Sequence, residues 1–575
     1  MDPVTERQWR RRAETPDEGR VAELAARLGL ERLTARLLLG RGLDGGHAET
    51  FLRARLADLP DPFRLPDMQR AVDRLAAAIA AGEPVAVHGD YDVDGISGTA
   101  LLVAGLRLLG AEGVSWHIPL RLRDGYGLSA AALHDAAAAR VAVVVTVDCG
   151  VSAHAEAVLA GQLGLDLIVT DHHQPPTELP PAFALVNPHC ATGLDEFTDL
   201  AGVGVAFFLL IALRKQLRDH GRFAAGAEPD LRQLLDLVAL GTIADLVPLR
   251  GVNRALCKAG LALLNSDHRP GIAALKQVAG VDSVTTGTVG FQLAPRLNAA
   301  GRLEDAGRGV DLLLEPEFAS ALPSAQHLDQ CNRERRDLEE QTFRAAEAAL
   351  AALPRQQRHG IVLAGEGWHP GVIGIVASRL VERYHRPTVL IALDGDTGKG
   401  SARSIRGFHL YQGLEACADC LDGFGGHAMA AGLTVAAARV DAFAEAFDRL
   451  ARARLNDDDL IPSLYHDGSL LLEEVDLAVL QELASLAPFG IGNPEPVLLV
   501  EGARAMQVQT LKDQHLKFTV CQGGYGHPAI AFGMAERRSE LQGAIDLLVS
   551  PQINSYRGRE TVQLRVKDVR PALTD

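Results

Sequence analysis

The sequence predicts an α/β protein: a parallel-sheet domain first, a long helix connecting it to a second α/β domain, and a small β-barrel at the end. Three observations carry this. Short apolar runs ending in polar clusters alternate with helical patterns over residues 84–187. A charge-rich helical pattern runs from Pro323 to Leu353. Beyond Pro462, short alternating runs separated by turn residues replace the helical pattern, as in a small closed sheet.

Composition bounds the rest. The 575 residues suffice for several domains, and 47% hydrophobic with 23% charged content is ordinary for a globular protein. Aromatics at 5% favour α/β and helical architecture over an aromatic-rich all-β one. No apolar run has the length of a bilayer span, and the charged Met1–Arg12 segment has no signal-peptide core, so a cytoplasmic protein with no membrane contact is expected. Seven scattered cysteines fit reduced thiols, and Cys417 with Cys420 forms one CxxC pair without a second pair to complete a zinc site. The net charge of −16 argues against nucleic acid as a partner only if positive charge is nowhere concentrated.

In chain order, residues 1–48 form a small helical preface with an amphipathic pattern over Val21–Leu39. A first domain then spans 49–320. The helix Leu65–Ala81 feeds a strand ending at Val87, and Val87-His88-Gly89-Asp90-Tyr91-Asp92-Val93-Asp94-Gly95 follows as an acidic turn before a helix over Gly98–Leu109. Further strands are predicted at Val114–Pro119, Val141–Val147, Asp166–Thr170 and Phe183–Val186, with helices at Leu128–Ala139 and Ala153–Leu163. Val141–Val147 is rich in valine, as in a strand buried on both faces. The later strands deliver Asp148-Cys149-Gly150, Asp171-His172-His173 and Asn187-Pro188-His189 at their carboxyl ends, the edge where open α/β sheets bind ligands. No GxGxxG or GxxxxGK[ST] follows any of them, so a dinucleotide or P-loop site is not supported.

Three carboxylates and an imidazole within His88–Asp94 repel one another unless cations neutralise them, and this donor set suits Mn²⁺ or Mg²⁺. The bland alternative is an acidic turn with solvated charges. Residues 200–275 are mostly helical, and Gly241-Thr242-Ile243-Ala244-Asp245 places one aspartate near a helix end: either a polar terminus or one more ligand. In Phe291–Leu303, Arg296, Asn298 and Arg302 flank small residues, which suits phosphate contact or surface ion pairs.

The connecting helix (321–354) leads to the second domain, 355–458. There a strand at Gly360–Ala364 precedes Gly371–Arg379, which opens a helix carrying Ser378 and Arg379. A strand at Thr388–Leu393 follows, and then the Ser401-Ala402-Arg403 and Gly425-Gly426-His427 segments, glycine-rich stretches able to hold an anion. The last domain, 459–575, contains the helix Leu477–Leu486 and six short strand-like runs, consistent with an OB-fold. From residue 551 onward five basic residues (Arg557, Arg559, Arg565, Lys567, Arg570) face three acidic ones, and Tyr556 lies beside them.

Together these motifs resemble the DHH phosphoesterase superfamily, and within it the RecJ single-strand-specific 5′→3′ exonucleases. The carrying residues are His88–Gly95, Val147–Gly150, Asp171-His172-His173, Gly241–Asp245 and Gly425-Gly426-His427 with Ala430-Ala431-Gly432. The resemblance implies two Mn²⁺ or Mg²⁺ ions, one held by His88, Asp92 and Asp148, the other by Asp94, Asp148, His172 and Asp245, with Asp148 bridging. Asp90 and Asp171 would orient ligands, and His173 would contact the scissile phosphate; His173, Asp148 and Asp90 are the catalytic candidates. The second domain, the DHH-associated domain of such proteins, would grip the 5′ end through Ser401, Arg403, Gly425, Gly426 and His427. Arg296, Asn298, Arg302, Ser378, Arg379, Tyr556, Arg557 and Arg559 are further nucleic-acid contacts. The implied product is 5′-mononucleotides, made in DNA repair and recombination by a monomer acting with a helicase and a single-strand-binding protein. The rivals are a small-substrate DHH phosphodiesterase or nanoRNase, which needs no barrel, and a replication scaffold, in which the metal ligands would be eroded.

Overall fold

The structure is a computed structural model that describes residues 6–120, 125, 127–224, 226–352, 358–556 and 558–572. It divides into two compact units, one holding Arg302–Asp305 and His327–Leu464, the other Arg11–Gly301, Ala306–Gln326 and Tyr465–Asp575.

Strand β1 (Gln8–Arg11), paired with β12 (Ser463–His466), precedes three helices of the larger unit, α1 (Glu18–Leu28), α2 (Arg32–Gly40) and α3 (Gly45–Arg53). The single amphipathic stretch expected over 21–39 is therefore two helices, broken where Gly29 takes a left-handed φ of 66° and caps α1. Helix α4 (Met68–Ala81) leads to β2 (Val85–Gly89), followed by α5 (Val93–Leu108), β3 (Val114–His117), α6 (Ala130–Ala138), β4 (Val143–Val147), α7 (His154–Gln162), β5 (Asp166–Thr170) and β6 (Ala184–Val186). The strands form one parallel sheet in the order β3-β2-β4-β5-β6. The order reverses between the neighbours β2 and β4, so the segments that follow them open onto the crevice at the switch point.

Helix α5 starts at Val93, five residues before the predicted start. Asp92 is the reason: its side chain accepts hydrogen bonds from the N–H groups of Asp94 and Gly95, an N-cap that makes half of the acidic motif the first turn of the helix. The helix is buried on all sides, against α8 (Gly202–Asp219) and α9 (Leu235–Ala244).

The barrel closes this unit. Its strands run β13 (Leu498–Leu511), β14 (His515–Gln522), β15 (Tyr525–Ala531), β17 (Arg559–Pro571), β16 (Ile545–Tyr556) around the circle, with β15 and β17 parallel and the other neighbours antiparallel. This is the five-stranded OB arrangement. Two of the runs expected as separate strands are the single strand β13, whose register shifts at Val500/Ala503 and Met506/Gln509 bend it around the barrel and interrupt its apolar alternation. The barrel does not stand on its own core. Val21, Leu24, Leu33, Leu37 and Leu38 of the N-terminal helices pack in one buried cluster with Val479, Leu483, Leu516, Phe518 and Leu547. The buried Arg254 ties the barrel side to the first domain, donating to the carbonyls of Phe51, Ser485 and Leu486.

The smaller unit holds most of the connecting helix Phe318–Ala352, which begins before the expected Pro323 and keeps that proline inside it. Its sheet has the order β10 (Gly423–Gly426), β11 (Ala430–Ala436), β9 (Thr397–Arg403), β8 (Thr388–Asp394), β7 (Ile361–Glu366), and the helix Ile373–Tyr384 packs on β8 and β9. Among the described residues no helix is long and apolar enough to cross a membrane.

Candidate active site

The crevice collects its side chains from the carboxyl ends of β2, β4 and β5 and from the end of α9. Asp148 follows β4 with φ of 62°, a left-handed conformation that aspartate tolerates better than most residues. The first turn of α8 presses against it: a Cβ on Gly202 would lie 2.6 Å from the Asp148 Cβ. That same turn holds Asp94, whose Oδ2 accepts from the Gly202 N–H at 2.6 Å and Oδ1 from the Val203 N–H at 3.0 Å. A Cβ on Gly241 of α9 would lie 2.7 Å from Asp94 Oδ1, so two glycines make the room this carboxylate occupies.

His172 converges on the same point. Its Nε2 lies 3.2 Å from Asp148 Oδ1, 3.6 Å from Asp245 Oδ2 and 4.0 Å from Asp94 Oδ2, and makes no hydrogen bond among the described residues. Burial first, and the neighbouring His173, lower the His172 pKa to about 4, so the ring is neutral at physiological pH. Its hydrogen bond to the backbone of Leu200 must use the other nitrogen. Nε2 then directs a lone pair at three carboxylates, an arrangement that a cation between them relieves.

Ligand atoms within 4.8 Å of one another form the groups Asp94/His172/Asp245, Asp90/Asp92/Asp148 and Asp148/His172/His173. Two neighbouring oxygen-rich groups with imidazole fit two hard or borderline divalent ions, and Asp148 and His172 link the groups. The expected second-ion set of Asp94, Asp148, His172 and Asp245 is brought together. For the first ion, the structure places Asp90 beside Asp92 and Asp148, where His88 was expected. The His88 ring stacks on His117 with centroids 5.1 Å apart, and its Nε2 lies 3.1 Å from the Gly127 carbonyl. A carbonyl only accepts, so Nε2 carries the proton and Nδ1 the lone pair, the tautomer of a metal-binding imidazole oriented through its far nitrogen. Burial lowers the His88 pKa to about 4 as well.

Asp171 is engaged by hydrogen bonds from its neighbours. It accepts from the N–H groups of Val151, His172 and His173 and from His173 Nδ1 at 2.7 Å. Burial, the largest single influence, lowers the His173 pKa, but the bond to Asp171 together with the charges of Asp171, Asp245 and Asp92 outweighs it and the pKa is raised. His173 is therefore the more exposed and more readily protonated member of the pair.

The carboxylates lean the other way. Burial, and then the charges of their neighbours, raise the pKa of Asp94 and Asp148 well above the carboxylate range, and burial with Asp92 raises Asp245 to about 7. A carboxyl whose folded pKa is raised stabilises the fold at low pH, and this is lost as pH rises through the folded value. Above pH ~6.5 a histidine with a lowered pKa is neutral both folded and unfolded and adds no slope, while His173, whose pKa is raised, adds a loss of the same sign as the carboxyls. Chelator-treated protein therefore loses thermal stability between pH ~6.5 and 8, by up to about 1.4 kcal/mol per pH unit for each carboxyl held neutral. Added Mn²⁺ removes most of that slope. Melting curves of both forms across this range check it; a flat metal-free profile contradicts the cation-deficient crevice.

Three family models match the chain: the DHH family N-terminal domain over residues 84–242, the DHHA1 domain over 357–453 and the RecJ OB domain over 466–568. The single-stranded-DNA-specific exonuclease RecJ of Salmonella typhimurium is 39% identical over 584 residues, covering 98% of this chain and 99% of that protein. The Bacillus subtilis protein of the same name is 38% identical over 564 residues, covering 96% of this chain and 70% of its own length. The chain belongs to the RecJ family. The crystal structure of Thermus thermophilus RecJ in complex with Mn²⁺ superposes with a TM-score of 0.83 at 32% identity, over 99% of this chain and 80% of that one.

In this RecJ-family chain the smaller unit brings Ser401 and Arg403 together. Both side chains lie on one face of β9, over the start of the helix Ile373–Tyr384. A Cβ on Gly374 would sit 2.8 Å from Ser401 Oγ and 3.0 Å from an Arg403 terminal nitrogen. Arg403 donates to Ser401 Oγ at 3.2 Å and to the Ala402 carbonyl at 2.7 Å. Hydroxyl, guanidinium and helix N-terminus together suit a phosphate. The Gly425–His427 turn is instead the exposed end of edge strand β10, and the His427 N–H is committed to the Ala430 carbonyl. Arg379 is engaged elsewhere: it pairs with Glu339 and Glu340 and stacks on Phe343, while Ser378 Oγ donates to the Gly374 carbonyl.

The segment carrying Arg296, Asn298 and Arg302, expected to contact phosphate or form surface ion pairs, is helical (Ala294–Leu303), with Asn298 half-buried. Arg296 is buried and donates to the Gln292 carbonyl, and Arg302 donates to the Gly371 carbonyl. In the barrel, Lys567 pairs with Glu495 and Arg570 with Asp546, whereas Arg559 and Arg565 are exposed. Arg557 and the side chain of Tyr556 lie outside the described residues. The sequence reading missed the exposed Phe532, which sits edge-on to His515 and under the Arg565 guanidinium. It also missed the Gly202–Val203 clamp, whose only trace in the sequence is the small-residue helix start Ala201-Gly202-Val203-Gly204.

Proposed function

We propose that this protein is a Mn²⁺- or Mg²⁺-dependent exonuclease that degrades single-stranded DNA from the 5′ end to 5′-mononucleotides, in DNA repair and recombination. The observation that carries the reading is the neutral His172 Nε2 facing Asp94, Asp148 and Asp245, beside a second group that shares Asp148. Asp148 would serve both ions, Asp94, His172 and Asp245 one of them, and Asp92 with Asp90 or His88 the other. When bound, such a pair of ions supplies an activated water and neutralises charge on the attacking and leaving oxygens of an in-line displacement.

The protein's own groups do the positioning. The Gly202 and Val203 N–H groups fix Asp94, the Gly127 carbonyl fixes the His88 tautomer, and Asp171 holds His173 through Nδ1, which would leave Nε2 to contact the scissile phosphate. Ser401 and Arg403 take the terminal 5′-phosphate. Phe532 with Arg565 offers a stacking surface for a base, and Arg559 adds a phosphate contact on the barrel. A helicase that supplies single strands and a single-strand-binding protein that coats them are the partners this chemistry calls for.

Chelator-treated protein should be inert on single-stranded DNA and regain activity on adding Mn²⁺, with fully paired blunt duplex left intact. Activity that survives chelation, or equal cleavage of duplex, would refute the reading. The barrel's share is read from salt dependence. Deleting residues 463–575 would expose the core shared with α1–α3, so the substitutions Arg559→Ala and Arg565→Ala are used together. If each contacts a phosphate, the log–log salt slope of single-strand affinity falls by about 0.7 per contact, ~1.4 for the pair. An unchanged slope places the barrel's electrostatic contacts elsewhere.

A further inference from the structure

A second set of metal-ligand side chains shares no residue with the crevice. Glu304, His327 and Cys331, all in the smaller unit, bring Oε2, Nε2 and Sγ within 4.8 Å of one another. His327 and Cys331 stand four apart on the helix Phe318–Ala352 and so share one face, and Glu304 arrives from the Arg302–Asp305 segment. The His327 Nε2 meets Glu304 Oε2 at 2.9 Å and Cys331 Sγ at 3.5 Å, so a single ring nitrogen faces both other donors.

Four-coordinate zinc with bonds of about 2.0–2.3 Å sets its ligand atoms roughly 3.3–3.7 Å apart. The nitrogen–sulfur separation already has this value, and the nitrogen–oxygen pair needs to open by less than ~1 Å. We propose that Glu304, His327 and Cys331 form a site for a zinc-class divalent cation, with water as the fourth ligand. The donor set is thiolate, imidazole and carboxylate, softer than the aspartate-rich crevice and selective for a different class of ion. Binding displaces the thiol proton to solvent. Cys331 is 1% exposed, so its sulfur meets a ligand carried by its neighbours rather than a bulk substrate. The ion adds a tie between the helix and a segment already anchored by the Arg302 bond to the Gly371 carbonyl at 3.0 Å.

The test titrates the full chain with Co²⁺ while Mn²⁺ in excess occupies the crevice. The wild type should develop a thiolate-to-cobalt charge-transfer band in the near ultraviolet, saturating at one ion per chain. Cys149→Ala, which removes the buried thiol near His88, should leave the band unchanged. Cys331→Ser should abolish it, and His327→Ala and Glu304→Gln should each weaken cobalt affinity at least about tenfold, as losing even an outer partner of a metal site does. No band in the wild type, or a band that survives Cys331→Ser, means that the three groups only hydrogen-bond and overturns the proposal. If Cys331→Ser fails to fold, unchanged affinity in both other variants overturns it equally.

Discussion

Asp148→Asn abolishes hydrolysis, lowering the rate at least about 1000-fold, or ~4 kcal/mol of transition-state stabilisation. Asp148 is common to the groups Asp90/Asp92/Asp148 and Asp148/His172/His173, and its Oδ1 stands 3.2 Å from His172 Nε2, so neutralising it affects both ions. Asparagine is the informative replacement because the residue has a φ of 62°, which asparagine adopts readily, whereas alanine adds backbone strain of about 1 kcal/mol. The amide keeps the shape that Gly202 is packed against. Single-turnover cleavage, read beside a melting curve and a metal count, separates lost chemistry from lost fold. A folded variant within tenfold of wild-type rate sinks the shared-ligand assignment.

Arg403→Ala erases most of the preference for 5′-phosphorylated over 5′-hydroxyl ends while the ions stay bound. A terminal phosphate carries more charge than an internal diester, so a guanidinium favours the end of a strand over its middle. Such a charge-assisted contact is worth about 1.5–3 kcal/mol, roughly 10- to 150-fold in binding. The competing role for Arg403, pairing with Asp394 or Asp396, is removed by register. In the β8–β9 hairpin Arg403 lies opposite Thr388, while Asp394 lies opposite Thr397 at the far end. Cleavage of matched strands with the two end types decides it: an undiminished preference excludes Arg403 as the end reader.

Much of this was legible in the sequence because it is local. Valine-rich runs marked the buried parallel strands, and the acidic and Asp-His-His clusters stood directly after them, where the topology brings them together. Local patterns could not show contacts made across the chain. Asp94 is held by backbone 108 residues away, and nothing near Asp94 indicates Gly202. The first turn of α5 was misplaced because Asp92 reads as a ligand by its chemistry and acts also as a cap by its geometry. Arg379 was counted as a phosphate contact because a basic residue on a helix looks available until the long helix places Glu339 and Glu340 against it. The N-terminal helices read as a separate preface, since their amphipathic faces do not reveal that the barrel covers them.

The direction of degradation tests the proposed enzyme most directly. Identical single strands, labelled at the 5′ end in one sample and at the 3′ end in the other, are incubated with the Mn²⁺-loaded protein and resolved over time. The 5′ label should be released as mononucleotide from the first turnovers, while the 3′-labelled strand shortens progressively. Early release of the 3′ label, or internal fragments carrying an intact 5′ end, would contradict a 5′→3′ exonuclease.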